Sequence, residues 1–213
     1  MSEYHKIQTV YKRDPATKHK TLLEGDFSLP EFEYLKDNKW VFTEKVDGTN
    51  IRIYFKDGKV VFGGRTDNAQ LPAPLVERLQ ERFTVEKMRE AFNGDACLYG
   101  EGYGPKIQKG GGNYREDQDF VLFDVLIGGW WLERDSVDGI AGNLEIDSVP
   151  IIGEGTLLDM VEHAKSGITS TWGDFAAEGY VARPAKELRA RSGDRLITKI
   201  KCKDFRDAAR GAI

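Results

Sequence analysis

Cysteine and histidine are scarce in this sequence of 213 residues, which contains two cysteines and three histidines. Cys97 and Cys202 lie far apart in the chain, which argues against a disulfide framework and favours reduced thiols. Because His5, His19 and His163 are scattered, we do not expect a zinc site built from histidine. Cysteine usage therefore predicts a reducing, cytoplasm-like compartment.

Long apolar runs and an excess of positive charge are also missing. The first residues contain no apolar signal region, and no later run reaches the roughly 20 residues that cross a bilayer. The formal net charge is -4, so a nucleic acid would have to be bound by a local basic surface. We expect a soluble protein of the cytoplasm, or a phage-encoded one that acts in the host cytoplasm, with no membrane partner.

Enough apolar residues are present for a sizeable core, since 40% of the residues are hydrophobic and 11% are aromatic. The length suits one domain, and no repeat, low-complexity tract or Pro/Ser-rich linker divides the chain. Many short strand and hairpin signals accompany a few helical segments. We therefore predict an α+β fold of antiparallel sheets flanked by helices, forming a single domain over residues 1–213.

Residues 40–50 (Trp-Val-Phe-Thr-Glu-Lys-Val-Asp-Gly-Thr-Asn) combine an apolar strand, a lysine and a tight turn. The turn falls at Asp47-Gly48, and a second strand follows over residues 51–55. Lys45 is thus delivered at the end of a buried strand and held among polar groups. We interpret Lys45 as a nucleophile, and an ordinary surface lysine is the rival interpretation.

Two other segments have helical periodicity. Residues 74–92 place apolar side chains on one face, and Thr84 is a suitable cap for a second short helix within them. Residues 156–165 begin with a capping box of Thr156 and Asp159. The side chains predicted to face inward in this later helix are Leu157, Leu158, Val161 and Ala164.

Several charged side chains stand at the ends of predicted strands. Arg65 follows two glycines, and Glu101 lies between glycines, so a bound group could approach both closely. Glu178 comes just before a short apolar strand. Each has a plainer interpretation as a solvated surface group. Asp124 lies inside an apolar strand, where a carboxylate needs partners; a structural acceptor and a site residue stay equally open.

The segment 195–203 alternates basic and apolar side chains. Period-two spacing puts three lysines on one face of a strand, with Ile200 and Cys202 on the other. The three lysines are Lys199, Lys201 and Lys203. Taken alone, this pattern is typical of an edge strand that lysines protect from aggregation.

Together these groups suit covalent nucleotidyl transfer. A lysine amine can attack the α-phosphate of a nucleoside triphosphate if it is unprotonated and if cations neutralise the phosphates. Phosphoryl chemistry also needs carboxylates that hold a divalent metal. The chain offers a lysine, an arginine, strand-end carboxylates and a lysine-rich strand for these tasks.

At these residues the sequence resembles the covalent nucleotidyltransferases, which comprise ATP-dependent RNA and DNA ligases and mRNA capping enzymes, and most resembles the RNA ligase 2 type. Six motifs occur in the family's order, and residues 104–109 (Gly-Pro-Lys-Ile-Gln-Lys) resemble the RNA ligase 2 type in particular. The six motifs are residues 44–50, 64–66, 99–101, 122–125, 178–181 and 199–201. A lone lysine-any-aspartate-glycine arises by chance, whereas six ordered motifs are specific.

The resemblance implies roles for individual residues. Lys45 would attack ATP, release pyrophosphate and carry AMP through a phosphoamide bond, while Lys199 and Lys201 would contact the phosphates. The implied nucleotide-binding residues are Glu44, Lys45, Val46, Asn50, Arg65, Glu101, Phe123, Glu178, Lys199 and Lys201, with Phe123 stacked on the adenine. Asp47 and Glu178, with Glu101 assisting, would hold Mg²⁺ or Mn²⁺. We prefer the register that places the phosphate contacts at Lys199 and Lys201. The alternative register would place them at Lys201 and Lys203.

The function implied is that of an ATP-dependent RNA ligase for RNA repair, which transfers AMP to an RNA 5′-phosphate and joins a 3′-hydroxyl to it. Its partners would be RNA ends or a nicked RNA-containing duplex. A DNA ligase, a capping-type nucleotidyltransferase and a non-sealing nucleotide- or RNA-binding relative are the alternatives. No appended C-terminal or oligonucleotide-binding domain is expected, so a minimal ligase, a ligase that uses a partner domain in trans and a truncated chain stay open.

Overall fold

The computed structural model describes residues 3–206. Within them the chain forms short strands interspersed with helices. The strands are β1 (Gln8–Thr9), β2 (Tyr11–Arg13), β3 (Leu22–Phe27), β4 (Trp40–Glu44), β5 (Thr49–Lys56), β6 (Lys59–Gly63), β7 (Ala96–Tyr103), β8 (Asp119–Ile127), β9 (Trp130–Trp131), β10 (Asp147–Ser148), β11 (Ile151–Gly155), β12 (Gly179–Pro184) and β13 (Thr198–Lys201). The helices are α1 (Pro30–Tyr34), α2 (Ala73–Arg82), α3 (Val85–Ala91), α4 (Arg134–Asn143), α5 (Leu157–Ser166) and α6 (Lys203–Arg206). No helix among the described residues is both long and apolar enough to cross a membrane.

The chain divides into two compact units. The lysine unit contains the described residues of Lys6–Val46 and Pro150–Ile213. The aromatic unit contains those of Met1–His5 and Asp47–Val149. The chain therefore passes from one unit to the other inside the motif that carries Lys45. The single domain expected from the sequence stays a prediction.

The lysine unit is built on a five-stranded sheet in the order β1-β13-β12-β4-β11. Its strands pair antiparallel except for the two-residue β1, which pairs parallel with β13. Helix α5 contributes Leu157 and Met160 to a core that also contains Trp40, Phe42 and Ile200. Strand β4, which leads to Lys45, therefore lies inside the sheet, with neighbours on both sides.

The aromatic unit is built on a sheet in the order β10-β8-β7-β5-β6, with β9 paired to β8. Only the two-residue β10 runs parallel to its neighbour β8 among the described pairs. Helices α2 and α3 cover the sheet with Leu75, Leu79 and Met88, which pack with Ile51 and Phe120. Antiparallel sheets flanked by helices confirm the predicted α+β class.

Local signals placed several elements correctly. Asp57 and Gly58 join β5 to β6 with positive φ angles of 50° and 68°, as a tight hairpin requires. Thr84 caps α3 by accepting a hydrogen bond from the Lys87 amide, and Thr156 begins α5 with the predicted capping box. Short elements outside these signals, such as β2 and α4, were not predicted.

Two predictions near the C-terminal half were wrong in detail. Leu158 was expected to face inward, but it is 40% exposed, and Met160 is buried instead. One hundred degrees per residue turns Leu158 away from the face on which Leu157 and Val161 lie. The strand expected to continue to residue 203 ends at Lys201, and Lys203 begins α6. Lys203 therefore does not continue the face of Lys199 and Lys201.

Candidate active site

Lys45 follows β4 directly and is fixed by the backbone of the neighbouring strand. Its amide donates to the carbonyl of Gly179 over 2.9 Å. Its side chain is 20% exposed, and its Nζ lies 2.6 Å from Oε2 of Glu178. The main chain therefore holds the lysine in place, and its ammonium group has a carboxylate partner.

Glu178 joins two lysines into a group that we call the lysine–glutamate triad: Lys45, Glu178 and Lys201. While Oε2 of Glu178 accepts from Lys45, Oε1 contacts Nζ of Lys201. The Glu178 side chain is only 10% exposed. Burial alone would raise its pKa, but the positive charge of Lys45 and the hydrogen bonds from both lysines outweigh burial and lower the pKa. The triad thus holds an ionised carboxylate between two ammonium groups.

Lys199 and Lys201 occupy alternate positions of β13 and so share one face of the strand. Between them, Ile200 is fully buried on the opposite face. In the register of the sheet, Lys199 pairs with Val181 and Lys201 pairs with Gly179, beside Glu178. The structure thereby brings Lys201 to the carboxylate of Glu178, which also contacts Lys45. The roles of Lys199 and Lys201 at phosphates stay predictions.

Glu44 precedes Lys45 but turns its carboxylate into the lysine unit, where it is 1% exposed. Oε1 accepts from the Ser170 hydroxyl over 2.6 Å, and Oε2 accepts from the amide and the hydroxyl of Thr171, both over 2.8 Å. Neutral donors thus satisfy this buried charge, and the bonds attach residues 170–171 to the end of β4. Nothing in this arrangement tests a contact to a nucleotide, so that role of Glu44 stays a prediction. No sequence signal pointed to Ser170 or Thr171.

The turn that follows Lys45, at Asp47 and Gly48, belongs to the aromatic unit and is closely packed there. The Asp47 amide donates to the Tyr114 hydroxyl over 3.1 Å, and Nε2 of Gln108 donates to the Gly48 carbonyl over 3.2 Å. A Cβ on Gly48 would lie 2.2 Å from the Gly102 carbonyl and 2.7 Å from Cγ of Glu101. Only glycine fits here, and Glu101 lies directly against the turn.

The residues predicted to contact phosphate and ribose follow on neighbouring strands of this unit. Asn50 pairs with Glu101 across β5 and β7, and its Oδ1 is buried with no hydrogen-bond partner among the described residues. Arg65 is exposed just beyond β6. Arg52 is fully buried and donates from Nε to the Gly64 carbonyl over 2.6 Å. No sequence pattern singled out Arg52. Arg52 therefore fixes the backbone that carries Arg65.

Phe123, the predicted adenine-stacking residue, is half-buried in an aromatic cluster. The ring of Tyr4 packs against those of Phe123, Tyr99 and Trp131 with centroid separations of 5.0, 5.2 and 5.5 Å. The Tyr4 hydroxyl donates to Oδ2 of the fully buried Asp124 over 2.6 Å. Asp124 thus has a structural acceptor role, one of the two roles that its sequence position left open. Tyr4 was not predicted from the sequence.

Oxygen donors around the turn suit a hard divalent cation. Asp47 lies in the turn, Glu101 packs against Gly48, and Asn50, which pairs with Glu101, has a buried oxygen with no partner among the described residues. Mg²⁺ typically takes one or two carboxylates and completes its shell with water. Across residues 3–206, no three His, Cys, Asp or Glu side chains are grouped as a ready-made metal cage. Both carboxylate oxygens of Glu178 contact ammonium groups in this structure, so its metal role needs a rearrangement and stays a prediction.

Comparison with known proteins gives a family and a fold. A family model for RNA ligase matches residues 38–201. A Naegleria gruberi RNA ligase variant solved with ATP and Mn matches with a TM-score of 0.70 and 18% sequence identity over 99% of this chain and 58% of that one. A second variant, solved with AMP and Mn, gives a TM-score of 0.69 at 18% identity over 98% and 58%.

These matches confirm the fold of an RNA ligase nucleotidyltransferase that the six motifs implied. At 18% identity the structural likeness shows the fold alone. The chain spans less than two thirds of the length of these Naegleria ligases.

Proposed function

The chain belongs to the RNA ligase family, and from that premise we propose that it is an ATP-dependent RNA ligase whose first step transfers AMP to Lys45. The observation that carries the proposal is the lysine–glutamate triad, because it joins Lys45 to the strand of Lys201 through one buried carboxylate. In the first step Nζ of Lys45 forms a bond to the α-phosphorus of ATP. The bond from that phosphorus to the bridging oxygen breaks, and pyrophosphate leaves.

Lys45 must lose its proton before it attacks. Glu178 has a lowered pKa and therefore stabilises the Lys45 ammonium, so the resting triad holds the nucleophile in its unreactive form. Attack thus requires the contact between Lys45 and Glu178 to open and the proton to pass to solvent. When bound, Mg²⁺ or Mn²⁺ supplies positive charge that lowers the pKa of a neighbouring amine and neutralises phosphate oxygens. Asp47 and Glu101 are the residues that would hold it.

The ammonium group of Lys201 is the second cation in contact with Glu178. Freed from Glu178, that group can pair with the charge that develops on the phosphate oxygens, and Lys199 on the same face can do likewise. Asn50, Arg65, Glu101 and Phe123 complete the proposed nucleotide contacts. Each is a role that the family's motifs support and that single variants can test.

In the later steps AMP would pass from Lys45 to the 5′-phosphate of an RNA end. A 3′-hydroxyl oxygen would then form a bond to that phosphate, and AMP would leave. We propose RNA ends or a nicked RNA-containing duplex as the partner, acting in the cytoplasm. The chain spans only part of the length of the ligases it matches. We propose a partner domain acting in trans as a second candidate partner, and a sealing assay tests it.

Incubation with labelled nucleotide and a divalent metal, followed by a denaturing gel, tests the first step. We expect covalent label from [α-³²P]ATP but not from [α-³²P]GTP, and none after chelation of the metal. Lys45→Ala should abolish labelling, a loss of at least about 1,000-fold, because the nucleophile itself is removed. The matched control is Lys39→Ala, which removes an exposed lysine of the same unit that pairs with Glu154.

Label from GTP alone would instead indicate a capping-type enzyme, and full labelling of Lys45→Ala would refute the nucleophile. A sealing assay with nicked RNA duplex, single-stranded RNA and all-DNA substrates then decides the acceptor. Sealing of DNA with no sealing of RNA would contradict the proposal.

A further inference from the structure

The strand that carries Phe123 is irregular at that residue. Tyr99 on β7 pairs with Asp124 on β8, whereas the next residue of β7, Gly100, pairs with Leu122. Phe123 is therefore the extra residue of a β-bulge. Bulges bend a strand and re-aim a side chain, and they are frequent beside functional sites. Neighbouring residues of a regular strand point to opposite faces, and the bulge accounts for the fact that Phe123 and Asp124 both contact Tyr4.

Tyr4 contacts both residues at the bulge, from a position about 120 residues earlier in the chain. Its hydroxyl donates to Oδ2 of Asp124 over 2.6 Å, and its ring stands edge-on to Phe123, with an interplanar angle of 67°. Tyr4 is 8% exposed and Asp124 is fully buried. A hydrogen bond to a buried carboxylate is strong, and a T-shaped contact fixes the plane of both rings.

We infer that Tyr4 is a positioning residue that sets the Phe123 ring for stacking against the purine base of the bound nucleotide. We expect the Tyr4 hydroxyl to affect the base and not the phosphates, because the ring of Tyr4 packs directly against the ring of Phe123. This inference rests on the proposed function, since it takes Phe123 as the stacking residue. It adds that the segment containing Tyr4 determines how tightly the base is held.

The test measures binding of two ligands, one with a base and one without. ATP and inorganic tripolyphosphate are bound to protein with the Lys45→Ala substitution, which prevents covalent transfer, and each dissociation constant is measured by equilibrium dialysis. Adding Tyr4→Phe should weaken ATP binding about 3- to 10-fold and leave tripolyphosphate binding within about 2-fold, because only the hydroxyl contact is lost. Tyr4→Ala, which also removes the ring, should weaken ATP binding about 10-fold, the loss expected when Phe123 no longer stacks on the base.

Tyr11→Phe is the matched control, since Tyr11 is a buried tyrosine that stands edge-on to Phe27 at 5.1 Å and 64° in the lysine unit. We expect it to leave the affinity for both ligands unchanged. In protein with Lys45 intact, Tyr4→Phe should raise KM for ATP and leave the adenylylation rate at saturating ATP within about 2-fold. Asp124→Asn, which keeps an acceptor for the hydroxyl, should give a smaller rise in KM.

Unchanged ATP binding in Tyr4→Phe, or an equal loss for ATP and tripolyphosphate, would overturn the inference, as would an equal effect of Tyr11→Phe. Should Tyr4→Phe fail to fold, an unchanged KM in Asp124→Asn would overturn it. A failure of the proposed function looks different. In that case the unsubstituted protein forms no covalent AMP, while the dependence of ATP binding on Tyr4 is still measured by dialysis.

Discussion

The lysine unit and the aromatic unit hold their candidate functional side chains by different forces. In the lysine unit, Glu178 lies between two ammonium groups, and its position depends on charge. In the aromatic unit, Asp124 accepts from a neutral tyrosine, and Phe123 is held by ring contacts. The first arrangement can open when charges change, whereas in the second a hydrogen bond and ring contacts fix the positions of Tyr4 and Phe123. Under the proposed function, the lysine unit would supply the attacking amine and the aromatic unit the ring that stacks on the base.

Among the variants that test this comparison, removal of the Glu178 carboxylate should have the largest effect, which is on the rate of adenylylation. We expect Glu178→Ala to lower the single-turnover rate of Lys45 adenylylation about 100-fold, because loss of the group that places Lys45 and Lys201 outweighs the gain from releasing the Lys45 ammonium. The measurement is the rate of label incorporation at saturating ATP. Glu154→Ala, which breaks the exposed pair with Lys39, should change the rate by less than about 2-fold. A rate in Glu178→Ala within 3-fold of the parent would contradict the role of the triad.

Removal of the Phe123 ring should have the next largest effect, which is on the binding of ATP. Phe123→Leu should weaken ATP binding about 10-fold, since stacking of a base on an aromatic ring contributes about 1–3 kcal/mol. Equilibrium dialysis with the Lys45→Ala protein provides the measurement, and Phe27→Leu in the lysine unit is the control. If Phe123→Leu leaves the affinity for ATP unchanged, the proposed stacking role of Phe123 is contradicted.

Glu44 is a second buried carboxylate of the lysine unit, and unlike Glu178 it accepts hydrogen bonds from the neutral groups of Ser170 and Thr171. Glu44→Gln should lower the free energy of unfolding by about 1–3 kcal/mol, because an amide cannot accept all three hydrogen bonds. Urea unfolding measures the change, with Glu33→Gln on the surface of α1 as the control. A loss below about 0.5 kcal/mol would show that these bonds contribute little.

The smallest expected effect is the pH dependence of stability that Glu178 contributes. Its pKa in the folded protein lies below the ordinary value of 4.5, so its ionised form stabilises the fold above that pH. The contribution is lost as pH falls through the lowered folded pKa. The unfolding free energies of the parent and of Glu178→Gln should therefore differ more at pH 7 than near pH 3. A difference that stays constant, or that grows on acidification, would contradict the lowered pKa.

Features encoded over a few residues could be predicted from the sequence. The strand that delivers Lys45, the turn at Asp57-Gly58 and the cap at Thr156 each depend on neighbours within a few positions. Such signals fix the elements and the order of the motifs. They also placed Lys45, Glu178 and the lysines of β13 in the right elements.

Contacts between distant residues could not be predicted in the same way. The bonds from Glu44 to Ser170 and from Tyr4 to Asp124 span 126 and 120 positions, and no local pattern sets such a pairing. The bulge at Phe123 depends on the register of β7 against β8, which the alternation of either strand alone does not show. Leu158 was misplaced because an apolar residue beside an amphipathic face was counted as part of it.

The central claim is that AMP is carried by Lys45, and peptide mapping tests it most directly. The protein is incubated with ATP and a divalent metal, digested under conditions that preserve phosphoamide bonds, and sequenced by tandem mass spectrometry. The account predicts AMP on the peptide containing Lys45 and on none of the peptides containing Lys199, Lys201 or Lys203. AMP on one of those three lysines, with Lys45 unmodified, would contradict it.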